Sequence, residues 1–145
     1  MRAIQPYFEH PLTSTQDWFK PLRYSEHAAT LEGNQLLYLA GRYGQATDPL
    51  ITAAQPGEHE RIGPLMNTWA ELRHAAATGK ILRLEDLLLR RVRLGLLLPD
   101  GAEAYMPRIR AIVQPTLGWD DARWDAEYRH YHQVWQQAYS PAPQD

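Results

Sequence analysis

No cysteine occurs among the 145 residues. That excludes disulfides, thiolate metal sites and a cysteine nucleophile, and it is compatible with a reducing compartment. Runs of alternating β-branched residues are also missing, so strands are not expected. No apolar run approaches the roughly 20 residues that span a bilayer. The longest, Leu87 to Leu98, is interrupted by Arg90, Arg91 and Arg93. After Met1-Arg2 the chain passes through Gln5, Pro6, Glu9 and His10 without an apolar stretch, so no signal peptide is expected. Excess charge of one sign is absent too. A formal net charge of −2 gives the surface as a whole no electrostatic basis for binding nucleic acid.

Recognisable chemistry is equally sparse. No dinucleotide fingerprint, phosphate-binding loop, metalloprotease motif, nucleophile elbow or calcium-binding loop is present. The six histidines do not cluster, and His130 and His132 fall on different sides of a helix, poor geometry for a shared metal. Glu58, His59 and Glu60 follow Pro56-Gly57 and read as a solvated linker rather than an acid–base group. No catalytic, cofactor-binding or metal-ligating residue is therefore assigned.

What the chain has is apolar and aromatic material. Hydrophobic residues make up 44%, with five Trp and eight Tyr, enough for one domain with a ring-rich core. Residues 1–30, punctuated by Pro6, Pro11 and Pro21, read as an irregular arm. Residues 31–140 read as a compact all-α bundle of about five helices, and 141–145 as a tail. One helix runs from Leu31 to a Gly44 stop. A short one opens at Asp48-Pro49. The next starts at Gly63-Pro64, or later at the Thr68/Glu71 capping box. Residues 84 to about 96 and 102 to 117 supply two more. Asp120 caps the last, which extends to about Tyr139.

Two helical faces stand out. At ~100 degrees per residue, Trp124, Tyr128, Tyr131, Trp135 and Tyr139 share an arc of about 80 degrees. The stripe reads as a core seam rather than a stacking platform. In the segment from Leu84, Leu87, Leu88, Val92, Leu94 and Leu96 form an apolar arc, with Asp86 and Arg90 as a surface pair. Glu85 and Arg91 fall inside that arc. A charge there needs a partner. Arg73, His74 and Arg123 are candidates for Glu85, and Asp120, Asp121 and Glu127 for Arg91. Alternatively the helix lies shallow and both head groups reach water. A phosphate or nucleic-acid role for Arg90, Arg91 and Arg93 is the weaker reading.

Three runs taken together resemble a known family. They are Trp69-Ala70-Glu71-Leu72-Arg73, the stretch from Leu84-Glu85-Asp86-Leu87 to Leu94-Gly95-Leu96-Leu97, and Leu117-Gly118-Trp119-Asp120-Asp121, followed by Glu127 and Tyr131. With Leu39-Ala40-Gly41-Arg42-Tyr43-Gly44 upstream, they look like the helical C-terminal domain of FAD-dependent glycerol-3-phosphate dehydrogenases and oxidases, over Leu36 to Tyr139. The resemblance implies an accessory helical domain, non-catalytic by itself, beside a flavin and substrate domain in cis or in trans. FAD and the substrate contacts belong to that other domain in the family. It further implies a cytoplasmic location, or one peripheral to the inner membrane through the parent enzyme. Residues 1–30 do not carry the family's glycine-rich flavin-contacting stretch. The alternative is a free-standing protein–protein interaction module without a redox role, such as a homo-oligomer. An excised domain should expose a contiguous apolar patch larger than a few hundred Å².

Overall fold

A computed structural model describes residues 24–26, 28, 31 and 33–140. The arm expected over residues 1–30 lies mostly outside the described residues, and the 141–145 tail entirely so. Among the described residues there is no strand, only an isolated bridge between Arg61 and Thr68. The all-α expectation holds. Six α-helices follow in order: α1 (Gly33–Tyr43), α2 (Thr47–Ala53), α3 (Trp69–Thr78), the short α4 (Leu94–Leu97), α5 (Met106–Leu117) and α6 (Asp121–Ala138).

Glycine ends α1 as expected: Gly44 takes the left-handed conformation at φ +53 that a side chain resists. The second helix begins at Thr47, one residue before the expected Asp48 cap. Asp48 lies in its first turn and its carboxylate accepts the Ser25 backbone N–H. The Thr47 hydroxyl donates to the Leu39 carbonyl at 3.1 Å, tying α2 to α1. Of the two starts considered for α3, the chain uses Thr68, with Glu71 Oε2 accepting the Thr68 N–H at 2.7 Å. Gly118, at φ +65, ends α5. Its N–H reaches the Pro115 carbonyl and that of Trp119 reaches Gln114, a paired C-terminal closure. Asp120 caps α6 by accepting the Arg123 N–H at 2.7 Å.

The segment after Leu84 departs from expectation. Asp86–Arg91 is π-helical, shown by the Val92 N–H bonding to Leu87 at 3.0 Å. Arg93 then turns left-handed at φ 59 and α4 starts afresh. Leu87, Leu88 and Leu89, three consecutive residues, are all buried along this wider turn. The fresh start exposes Leu96, expected inside, at 48%. The helix expected from residue 102 begins instead at Met106. A 3₁₀ stretch with left-handed Asp100, Gly101 and Ala102 precedes it.

The core has two parts. The larger joins α3, the π turn, α4, α5 and α6 around Leu72, Leu84, Leu87, Leu88, Ile109, Val113, Trp124 and Tyr131. The smaller lies under α1 and α2, around Leu39, Leu50, Ile51 and Ala70. Helix α3 serves both. Its Trp69, Leu72 and Ala76 enter the larger core, while Ala70 faces the smaller.

Two glycines make room for the rings of α6. Tyr131 is 1% exposed and donates to the Gly101 carbonyl at 2.6 Å. The Trp135 indole donates to the Gly95 carbonyl at 2.8 Å. A methyl at Gly95 would run into the Tyr131 hydroxyl and come within 2.9 Å of Leu89. Gly95→Ala should therefore destabilise the fold by about 1–3 kcal/mol through overpacking, read from urea denaturation midpoints.

Candidate functional site

The aromatic stripe of α6 is graded along the helix. Trp124 and Tyr131 are buried, Tyr128 and Trp135 half-buried, and Tyr139, at 47% exposure, stands outside the core. Tyr128 donates to Glu103 at 2.7 Å, and that bond together with burial pushes its pKa up to about 12. Below it a groove of about 390 Å³ runs between α5 and α6. Met106, Pro107, Trp124, Glu103, Arg110 and Asp125 line it with Tyr128. Arg110 pairs with Asp121 at 2.8 Å and lies 5.8 Å from the Trp124 ring centre.

Glu85 and Arg91 meet different surroundings. Glu85 is nearly buried and pairs with Arg90 at 3.3 Å and His130 at 3.1 Å. The three candidates named for it are engaged elsewhere. Arg73 binds Glu58, the His74 ring sits edge-on to Tyr43, and Arg123 binds Glu127. Arg91 is exposed and donates to the Gly79 carbonyl at 3.3 Å. Its candidates are also committed: Asp120 to the α6 cap, Asp121 to Arg110, and Glu127 to Arg83, Arg123 and the Leu84 N–H. The π turn begins after Glu85 and ends at Arg91, so it turns Arg91 away from the angle that a regular α-helix assigns it while Glu85 stays close to the core.

Three buried carboxylates form the polar framework, and two of them escaped the sequence reading. Glu127, 2% exposed, fixes the loop before the π turn onto α6. Glu58, read as part of a solvated linker, is 4% exposed. Arg73 grips it with two bonds of 2.7 Å, and the Gln55 N–H adds a third at 2.9 Å. Burial opposes its charge, but these donors outweigh burial and hold its pKa below the usual carboxylate value. Arg73 also reaches Thr116, so one guanidinium links α3, α5 and the loop between α2 and α3.

Glu71 is fully buried between α1 and α3. It accepts from the Thr68 N–H and, at 3.0 Å, from the Tyr43 hydroxyl, with Arg42 Nε 3.7 Å away. Burial is the largest influence on it and raises its pKa despite these donors. Burial and the neighbouring Glu71 charge likewise push Tyr43 up.

The two shifts act on stability in opposite senses. Folding raises the Glu71 pKa, so the folded state holds the proton more tightly and gains stability as pH falls towards the ordinary carboxylate range. Folding lowers the Glu58 pKa, so its contribution is full above the ordinary value and is lost as pH falls through the lower folded value. Urea midpoints across about pH 3–7 should show both effects. Glu71→Gln should abolish the first and Glu58→Gln the second.

Each of the three carboxylates accepts hydrogen bonds from donors on another segment of the fold. Among the described residues no group of three or more His, Asp or Glu side chains could hold a metal ion. His130 pairs with Glu85, while the His132 ring lies tilted 6.1 Å from that of Tyr128. No described helix is long and apolar enough to cross a membrane. Exposed apolar side chains are Tyr24, Leu37, Leu82, Leu96, Leu97 and Tyr139.

Comparison with known proteins places this helical body. The family model for the C-terminal domain of alpha-glycerophosphate oxidase matches residues 11–124. The match begins within the segment read as an arm and ends at Trp124, early in α6. Glycerol-3-phosphate dehydrogenase 2 of Mycobacterium tuberculosis and of Mycobacterium bovis are each 27% identical over 127 residues, 83% of this chain. Glycerol-3-phosphate dehydrogenase of Mycobacterium leprae is 27% identical over 128 residues. The chain spans 22% of the length of these curated relatives. No solved structure matches it significantly. With the family model matching residues 11–124, most of the chain, the chain belongs to the family of alpha-glycerophosphate oxidase C-terminal domains.

Proposed function

We propose that this chain acts as the accessory helical domain of an FAD-dependent glycerol-3-phosphate dehydrogenase and is non-catalytic by itself. It packs against the flavin and substrate domain, in cis or in trans. That partner holds FAD and oxidises glycerol 3-phosphate to dihydroxyacetone phosphate. The carrying observation is the family match over residues 11–124, joined to relatives whose printed names are glycerol-3-phosphate dehydrogenases. The structural role of the buried carboxylates supports it, since the side chains that resemble an acid–base set are consumed in holding helices together. The expected location is cytoplasmic, or at the inner face of the membrane through the partner domain.

The purified chain should remain colourless when mixed with FAD and dialysed, and should not oxidise glycerol 3-phosphate. It should co-migrate in gel filtration with the flavin part of a mycobacterial relative cut before the matching segment. Retention of yellow flavin by the chain alone, or oxidation of glycerol 3-phosphate by it, would overturn the proposal.

A further inference from the structure

The turn after α3 and the end of the π turn enclose a notch of about 260 Å³, lined by Gly79, Lys80, Asp86, Arg90 and Arg91. It is separate from the groove beside Trp124 and from the three buried carboxylates. Its charge is lopsided, with three cations against the single lining acid Asp86. These cations are not equally committed. Arg90 is held by both Asp86 and Glu85. Arg91 donates to the Gly79 carbonyl and has no acid partner among the described residues. Lys80 makes no ion pair among them and projects from a left-handed backbone position at φ 50.

The fold holds these groups in place from both sides. Gly79 closes α3 with its N–H on the Ala75 carbonyl at 2.8 Å, and Lys80 follows directly. Across the notch, Arg90 and Arg91 end the π turn, whose preceding leucines are anchored in the core. The turn after α3 and the end of the π turn thus bring Lys80, Arg90 and Arg91 to one small concavity. A guanidinium offers forked donors that match oxygens of a tetrahedral anion, and an ammonium adds a point charge.

The geometry points to a phosphate-binding site in this notch, with Lys80 and Arg91 as the principal donors, Arg90 as a third, and Asp86 limiting affinity. The ligand chemistry is a phosphate group, carried either by a small soluble anion or by a lipid headgroup.

The test uses the full chain labelled with ¹⁵N and titrated with inorganic phosphate at constant ionic strength. Saturable amide shifts centred on Gly79, Lys80 and Arg91 are expected. Lys80→Gln and Arg91→Gln should each weaken binding on the order of tenfold, the loss of one charge-assisted contact. Asp86→Asn should tighten it. Lys80 and Arg91 are exposed and Asp86 is half-buried, and unchanged circular dichroism would verify folding. A second arm measures sedimentation with phosphatidylglycerol vesicles and with phosphatidylcholine vesicles. Saturation by free phosphate that is lost in Lys80→Gln and Arg91→Gln supports the site with a soluble ligand. Phosphatidylglycerol binding without a free-phosphate response, lost in the same variants, supports it with a lipid source. Absence of both responses, or responses that survive both substitutions, would overturn it.

Discussion

Glu71→Ala is expected to cost about 3–5 kcal/mol, the range for breaking a buried charged network by removing one partner. The substitution strands the Thr68 N–H and the Tyr43 hydroxyl in a dry interface and removes the nearest carboxylate to Arg42. It also empties volume between α1 and α3, where Glu71 is 0% exposed. A domain of this size is stable by only about 5–15 kcal/mol, so the loss is a large share of the total. The melting temperature should fall by roughly 10 °C, followed by circular dichroism at 222 nm. Glu71→Gln keeps an oxygen for the Thr68 N–H and should cost distinctly less. If both variants melt like the parent chain, the buried acid does not join these helices.

Much of α6 was legible because it is a regular helix. One repeat angle relates every residue from Trp124 to Trp135, and Asp120 acts only on the turn that follows it. Tyr139 shared the arc but sits at the helix terminus, where no core remains to receive it. The same arithmetic misplaced Arg91 and Leu96, because the chain widens into a π turn and breaks at Arg93, whereas it set Glu85 near the core and missed only its partners Arg90 and His130. Nothing in the local spacing marks that change. Glu58 was illegible for a different reason. Its neighbours Pro56 and Gly57 signal a turn, and turns usually face water. Its partner Arg73 stands fifteen residues away and approaches only once the segment between α2 and α3 has folded back. The Thr68/Glu71 signature did mark the start of α3, but a three-residue spacing does not disclose that Glu71 would also bind Tyr43 on α1.

Tyr131→Ala should be as damaging as the loss of Glu71, at about 3–5 kcal/mol. The ring is 1% exposed, and its hydroxyl satisfies the Gly101 carbonyl in the left-handed stretch before α5. Truncation opens a large cavity and leaves that carbonyl unpaired. The α6 backbone makes few close approaches to the rest of the body, so its rings carry the attachment. Tyr131→Phe separates the two contributions. It retains the packing and should cost about 1–2 kcal/mol for the stranded carbonyl. Hydrogen exchange should show α6 amides opening before those of α3 in both variants, with α6 faster in Tyr131→Ala. Equal protection of α6 in Tyr131→Ala and the parent chain would contradict attachment through this ring.

These effects concern a helical body that holds its own shape. Its proposed role is to complete a flavoenzyme whose chemistry lies in a separate domain. A chimera measures this most directly. The matching C-terminal segment of the Mycobacterium tuberculosis glycerol-3-phosphate dehydrogenase 2 is replaced by this chain, and glycerol 3-phosphate oxidation is assayed beside the same protein cut before that segment. The account predicts that the chimera retains FAD and oxidises substrate faster than the cut protein. Equal rates in the two, with the grafted chain folded by circular dichroism, would contradict an accessory role.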